Sequence, residues 1–468
     1  MGGPVILRKS TVLVMSCIAA VVAHAGQVYV EWDSELGPVK PVNGVGQPPM
    51  VGGPSDFTMM HYLKEVGIPY SRLHDVGGLM GQGIWVDIPN VFPDFNRDEN
   101  DPKNYLFDTT DALIKALSDS GVEPYFRLGV SIESFAGKGF RPRRTLPPAD
   151  FSKWARVCEK IILHYNEGWA NGQRTKISYW EIWNEPENYP EVEKNCMWKG
   201  DFASYIRFYG TVAPYLKAKF PQLKIGGYGS CGFYAGVKAE LVAAANSSPR
   251  LEHFVVCARE FLSAVRGNRW PLDFFSFHSY SEAKDAVRQV RFADSLLNEY
   301  GFTSDRTERH FNEWLPYVGR DSLGSNKQAA GVAAELIGLQ NGPCDLACIY
   351  DARCTTSIYS PLFDPISYKP RKSYYAFVAF DELRKCGHAV KAVSTDVDLW
   401  VAAARGLEIG VVMIANDSEQ EKSLSLDCNG AVPTFCRITD AKSDDRRLNK
   451  IPAVMPPYSF AIVFYRLH

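Results

Sequence analysis

The sequence predicts an α/β fold, a (β/α)8 TIM barrel followed by a C-terminal antiparallel β-sandwich module. Three observations carry this. Between residues 42 and 383, apolar β-branched runs alternate with helical patterns eight times, which implies a parallel sheet closed into a barrel. Gly77, Gly78, Gly81 and Gly83 lack the G-x-G-x-x-G spacing that an open doubly wound sheet usually carries after its first strand. From about Lys391 the helical period disappears. Short apolar runs follow, separated by turn residues such as Asn416-Asp417-Ser418 and Asn429-Gly430. A chain of 468 residues accommodates a barrel of about 250 residues or more with a smaller module.

Residues 1–25 read as a signal peptide. Arg8 and Lys9 form a basic region, residues 11–22 are apolar, and Ala23-His24-Ala25 is a small-x-small cleavage pattern. The expectation is an exported protein, secreted or periplasmic, cleaved after Ala25. The apolar run is shorter than the ~20 residues a spanning helix needs, so no membrane span is expected after cleavage. An uncleaved anchor is the alternative. A lipoprotein reading of Cys17 is weakened by Met15 and Ser16 before it.

The barrel is expected over residues 26–385 and the β-sandwich over 386–468, with residues 27–32 a strand that joins the β module. The eight barrel strands are expected at 42–45, 70–74, 123–128, 177–183, 223–227, 272–277, 308–312 and 346–350. The helices are expected at 55–66, 111–120, 151–165, 202–220, 251–265, 286–300, 328–340 and 373–383. In the first of these, Phe57, Met60, Leu63 and Val66 share a face and Gly67 stops the helix. After removal of residues 1–25, ten cysteines remain. In an exported protein some disulfides are plausible, and Cys428 and Cys436 would clip a hairpin. The gaps among Cys344, Cys348 and Cys354 match no standard zinc pattern.

Hydrophobic residues make up 46% and charged residues 22%, ordinary for a globular protein. A net charge of −2 gives no sign of a nucleic-acid partner. Aromatics reach 13%, which suits both a core and stacking on sugar rings. In a barrel, chemistry sits at the carboxyl ends of the strands. Those ends offer Arg72, His74 and Asp75 on the second, Arg127 and Glu133 on the third, Asn184 and Glu185 on the fourth, His278 and Tyr280 on the sixth, Asn312 and Glu313 on the seventh, and Tyr350, Asp351 and Arg353 on the eighth. Two glutamates stand out, each behind an asparagine: Trp183-Asn184-Glu185-Pro186 and Asn312-Glu313-Trp314. Strands four and seven lie across the barrel mouth. Two carboxyls facing across a pocket can cleave a glycosidic bond, one protonating the leaving oxygen while the other attacks the anomeric carbon. The acid is expected to have a raised pKa.

The Trp-Asn-Glu-Pro segment with a second glutamate after strand seven resembles the retaining glycoside hydrolases of clan A. Within the clan the chain is most similar to glycoside hydrolase family 39, the β-xylosidase and α-L-iduronidase family. Gly37-Pro38-Val39-Lys40-Pro41, Arg72-Leu73-His74 and the stretch Asp273-Phe274-Phe275-Ser276-Phe277-His278-Ser279-Tyr280 add to the likeness, which spans roughly residues 28–385. The resemblance implies Glu185 as acid/base and Glu313 as nucleophile, with no cofactor and no metal. It implies that Asn184 holds the sugar 2-hydroxyl, that Tyr280 hydrogen-bonds the nucleophile and that His278 lines the subsite. Arg72, His74, Trp314, Tyr350 and Asp351 complete the candidate substrate-binding set. The expected partner is an oligo- or polysaccharide. The chain departs from the family at Glu187, where an aspartate is frequent, and at Asn312, where many relatives have threonine.

Two rivals stay open. A metal-dependent barrel enzyme would use His74, Asp75, Glu185 and His278 as ligands. A non-catalytic carbohydrate-binding protein would keep the cleft without the chemistry. The loop carrying Lys138, Arg141, Arg143 and Arg144 is either a solvated loop or an attractor of an acidic sugar. Asn246-Ser247-Ser248 and Asn416-Asp417-Ser418 match the glycosylation acceptor pattern.

Overall fold

The computed structural model describes residues 26–49, 59–77, 85–133, 144–238 and 248–467. The expected signal peptide, the start of the helix at 55–66, Gly78, Gly81 and Gly83, the loop residues Lys138, Arg141 and Arg143, and Asn246 lie outside these residues.

Strand β1 (Gly26–Pro38) leads to eight parallel strands. These are β2 (Gly44–Gly46), β3 (Tyr70–Leu73), β4 (Glu123–Leu128), β5 (Tyr179–Ile182), β6 (Lys224–Ser230), β7 (Phe274–Ser279), β8 (Glu308–Trp314) and β9 (Leu346–Ile349). Each pairs with the next, and β2 pairs with β9 to close a barrel. The helices between them start where a short polar side chain can satisfy a free backbone N–H. Asp150 caps the helix Phe151–Asn166 by accepting from Lys153 N at 2.9 Å, and Asp201 caps Phe202–Lys219 by accepting from Ser204 N at 2.7 Å. The first helix is shorter than the sequence pattern suggests, Met60–Glu65 among the described residues.

The β module contains β1 and β10 (His388–Ser394), β11 (Leu399–Arg405), β12 (Ile409–Asn416), β13 (Lys422–Asp427), β14 (Val432–Thr439), β15 (Arg446–Leu448), β16 (Val454–Met455) and β17 (Ser459–Arg466). Its order is β15-β14-β17-β12-β11-β10-β1-β13-β16. The pairings are antiparallel except that of β1 with β13, which is parallel. Period-two alternation gives the central strands two buried faces. Val412 and Ile414 enter the module's own core with Val28, Val30 and Val463, whereas Val411, Met413 and Ala415 join the core of the barrel. The helix Asn326–Asn341 lies between barrel and sheet, so every residue from Gln328 to Gln340 is buried. That accounts for its run of alanine and glycine. It also buries the Glu335 carboxyl, whose two oxygens have no hydrogen-bond partner among the described residues.

The ten described cysteines are free thiols. Cys428 and Cys436 are each buried and form no clip, contrary to the hairpin bridge expected from their spacing. Asn416 is fully buried, and its amide nitrogen donates to Gln420 O, Met455 O and Pro456 O, so this acceptor pattern presents no free side chain for glycosylation. Among the described residues no helix is long and apolar enough to cross a membrane.

Candidate active site

Along β5 the side chains alternate: Trp180 and Ile182 join the core around the barrel, and Glu181 turns into its interior. Beyond Ile182 the alternation breaks. Trp183 has φ +73° and Glu185 φ +44°, conformations that cost about 1–3 kcal/mol each for residues with a β-carbon. The neighbourhood over-determines them. The Trp183 ring packs on Trp154, Trp198 and Phe208, its Nε1 donates to Met197 O at 2.8 Å, and Glu185 N donates to Gly229 O at 2.9 Å. Gly229 itself has φ +64°, and a β-carbon there would sit 3.1 Å from Asn184 Oδ1 and 3.3 Å from His278 Nε2. The left-handed backbone and the crowding both suit glycine.

Strand β8 delivers Glu313 by a different device. Phe311 lies opposite Phe277, but the next pair is Glu313 with His278, so Asn312 is an extra residue in a β-bulge. Adjacent residues thereby face the same interior. Asn312 Nδ2 donates to Glu181 Oε1 at 2.7 Å, and Glu313 Oε1 accepts from Tyr280 Oη at 2.5 Å. Arg72 holds this layer together. Its Nε donates to Glu181 Oε2 at 2.8 Å, its Nη1 to Glu313 Oε2 at 2.8 Å and its Nη2 to Asn184 Oδ1 at 2.5 Å. Ser276 donates to Glu181 Oε1 at 2.6 Å.

His278 stands between the two glutamates of interest. Its Nδ1 is 2.8 Å from Glu185 Oε1 and 3.7 Å from Glu313 Oε2. One oxygen of each glutamate and one nitrogen of His278 all lie within 4.8 Å of one another. Oxygens this close suit the ~5–5.5 Å class of carboxyl pairs, in which one carboxylate attacks directly. Both glutamates line a cavity of about 650 Å³, with His74, Asp75, Tyr280 and Tyr350 among the other walls.

The remaining candidates divide. Tyr350 lines the cavity, accepting from Gln47 Nε2 at 2.6 Å and donating to Asp75 Oδ2 at 3.2 Å. His74 lines it beside Asp75, with Nε2 3.4 Å from Asp75 Oδ1. Asp351 is fully buried behind the wall, where it holds Arg353, which does reach the cavity. Arg72 and Asn184 lie beneath the carboxyls as a buried pair, outside the cavity wall. Trp314, expected to bind substrate, lies away from the cavity. It follows Glu313 after the bulge and so turns outward, fully buried in the barrel core against Phe311. Of the basic loop, Arg144 is described, and its guanidinium pairs with buried Asp87 at 3.3 Å.

Sequence reasoning missed several residues that shape the site. Glu181, Asn188, Cys231 and Arg250 carry no sequence signal of their own, although Glu181 precedes Trp183 by one strand period. Asn188 Nδ2 donates to Glu185 Oε2 at 2.8 Å, and Cys231 and Arg250 line the cavity nearby. Glu187 is buried away from the cavity, its Oε1 accepting from Ser230 Oγ and Cys231 N, and burial pushes it up to about 7.

The electrostatics overturn one expectation. Burial pushes the Glu185 carboxyl up, but hydrogen bonding and charge from His278, with the Asn188 amide, bring it below the usual carboxylate range. Burial acts on Glu181 in the same sense and is outweighed by the Arg72 charge. Asp75 is pushed up to about 7 by burial, and His74 well down by burial and the nearby cations. Burial and the Glu313 charge keep the Tyr280 phenol protonated, so it donates to that carboxylate.

Among the described residues, the group that could hold a divalent cation is Glu185, His278 and Glu313, and His74 and Asp75 are not part of it. Both carboxylates already accept hydrogen bonds, and Glu313 already faces a guanidinium cation. The donor set fits reacting carboxyls better than a metal centre.

A model of family 39 glycosyl hydrolases matches residues 60–312. The fold is also that of solved glycosidases. A glucosidase from Croceicoccus marinus shares 18% identity at a TM-score of 0.71, covering 95% of this chain and 100% of that one. A family 39 β-xylosidase from Caulobacter crescentus shares 18% at 0.62, covering 94% and 100%. A family 39 enzyme from Xanthomonas axonopodis pv. citri shares 16% at 0.64, covering 96% and 99%. No curated sequence matches the chain.

Proposed function

The chain belongs to glycosyl hydrolases family 39, and from that premise we propose that it is an exported, retaining exo-glycosidase of β-xylosidase-like action in which Glu313 is the nucleophile and Glu185 the acid/base. The observation that carries the pairing is the approach of their carboxyl oxygens to within 4.8 Å. Arg72 and Tyr280 hydrogen-bond Glu313 and aim it, so its carboxylate attacks the anomeric carbon as Glu185 passes its proton to the departing oxygen. Water then adds to the anomeric carbon, Glu185 takes the proton, and the Glu313 ester bond breaks.

His278 supports both halves. Glu185 Oε1 is free to carry a proton once Nδ1–H turns from it, where it lies at 2.8 Å, toward the charged Glu313 Oε2, 3.7 Å away. Once Glu313 is esterified that charge is gone, and Nδ1–H returns to stabilise the Glu185 carboxylate as base. A cavity of about 650 Å³ suits a small ligand, which favours action at a chain end. Export rests on Arg8, Lys9, the apolar run and Ala23-His24-Ala25. Glu313→Ala is expected to abolish release from activated aryl β-xylosides or β-glucosides and to regain turnover with azide. Wild-type activity in that variant would remove the nucleophile assignment.

A further inference from the structure

Asn188 lies three residues beyond Glu185 in a turn that its own N–H closes, donating to Glu185 O at 3.0 Å. The residue is 6% exposed. The amide nitrogen faces Glu185 Oε2 at 2.8 Å and Cys231 Sγ at 3.6 Å. The amide oxygen faces Cys196 Sγ at 3.5 Å and Arg250 Nη2 at 3.5 Å. Arg250 Nε also donates to the backbone carbonyl of Asn188 at 2.7 Å, and its guanidinium lies over the Tyr189 ring at 4.2 Å and near Phe254 at 5.1 Å.

This arrangement permits one amide orientation. Turned over, the amide would set its oxygen against a carboxylate and its N–H groups against a guanidinium. We infer that Asn188 is a positioning residue for Glu185, its amide locked by Arg250 and the thiols of Cys196 and Cys231 so that it always offers a donor to Oε2. The consequence is asymmetric. With Oε2 held by the amide, the proton that Glu185 delivers sits on Oε1, the oxygen beside His278, once the His278 donor has turned from it. The inference rests on the acid/base reading of Glu185 and adds to it a residue and an orientation.

The other groups facing Glu185 are accounted for. His278 comes from β7 and Glu313 from β8. The phenols of Tyr234, Tyr280 and Tyr359 are all raised by burial and stay neutral. Burial likewise keeps the Cys196 and Cys231 thiols protonated. Glu187 shares the chain segment and adds a like charge when ionised.

The test is a ¹³C NMR titration of the Glu185 carboxyl in protein labelled at glutamate, assigned with Glu185→Gln. A donor to the ionised form lowers a carboxyl's midpoint, so Asn188→Ala should raise it by about one pH unit. Arg250→Ala should raise it too, yet add nothing in the Asn188→Ala background, because its effect passes through the amide. An unchanged midpoint in Asn188→Ala overturns the inference, as do additive shifts in the double variant. Folding is checked by the other glutamate resonances, and Asn188→Gln serves as the conservative variant if alanine unfolds the turn. The readout does not need turnover. Absence of aryl-glycoside cleavage by the wild type defeats the glycosidase reading alone, whereas a stationary midpoint in an active enzyme defeats this inference alone.

Discussion

His278 Nδ1 lies 2.8 Å from Glu185 Oε1, so the carboxyl proposed to give up a proton is one that receives hydrogen bonds. These bonds stabilise the ionised form, so the acid half of the cycle depends on the donor turning away.

Removing that donor should therefore change the pH profile in a fixed direction. The alkaline limb of kcat/KM reports the acid of the free enzyme. Loss of a partner for the ionised form raises that acid, so in His278→Ala the limb moves to higher pH, by about one unit. A limb that stays in place or moves lower would remove His278 from control of Glu185.

Arg72 is a second point of leverage. It is 1% exposed and bridges Glu181 and Glu313. Deleting it leaves two buried carboxylates without their cation, and breaking such a group costs about 3–5 kcal/mol. Arg72→Ala should lose that much in chemical denaturation, and lysine, a single point charge, should restore only part of it. A loss below about 1 kcal/mol would mean that water reaches these carboxylates.

Stability should also fall with rising pH. Burial pushes Asp417 up to about 7 from 3.8, and burial, with the Asp417 charge, raises Glu335 well above its ordinary value. A carboxyl raised on folding contributes stability that is complete below its unfolded pKa and is lost as pH rises through the folded one. The melting temperature is expected to be higher near pH 5 than near pH 8, and Glu335→Gln with Asp417→Asn should flatten that difference. An equal slope in the double variant would place the pH dependence elsewhere.

Chelation separates the reacting-carboxyl account from a metal centre. Treatment with EDTA and desalting should leave kcat/KM unchanged, and added Zn²⁺ should not raise it. Loss on chelation with recovery on adding metal would mean that Glu185, His278 and Glu313 are ligands.

Much of this was legible in the chain. Eight strand–helix beats are local patterns, and strand periodicity set His278 and Tyr280 on one face, where both now touch a glutamate. The bulge at Asn312 was not legible, because register is decided by the neighbouring strand, and it turned Trp314 outward against expectation. Glu181 was hidden by its surroundings in sequence, an apolar strand whose polar partners Arg72, Ser276 and Asn312 come from three other strands. Arg250 is 62 residues from Asn188, and only the fold brings them together. The lowered pKa of Glu185 likewise depends on a histidine from β7.

The central claim is that Glu313 forms the bond to sugar while Glu185 moves the proton. The most direct measurement is incubation with 2-deoxy-2-fluoro-β-D-xylosyl and -glucosyl fluorides, followed by peptide mapping. The account predicts a single added glycosyl group on the peptide containing Glu313, absent in Glu313→Ala and retained in Glu185→Ala. A label on Glu185, or elsewhere in an active enzyme, would contradict it.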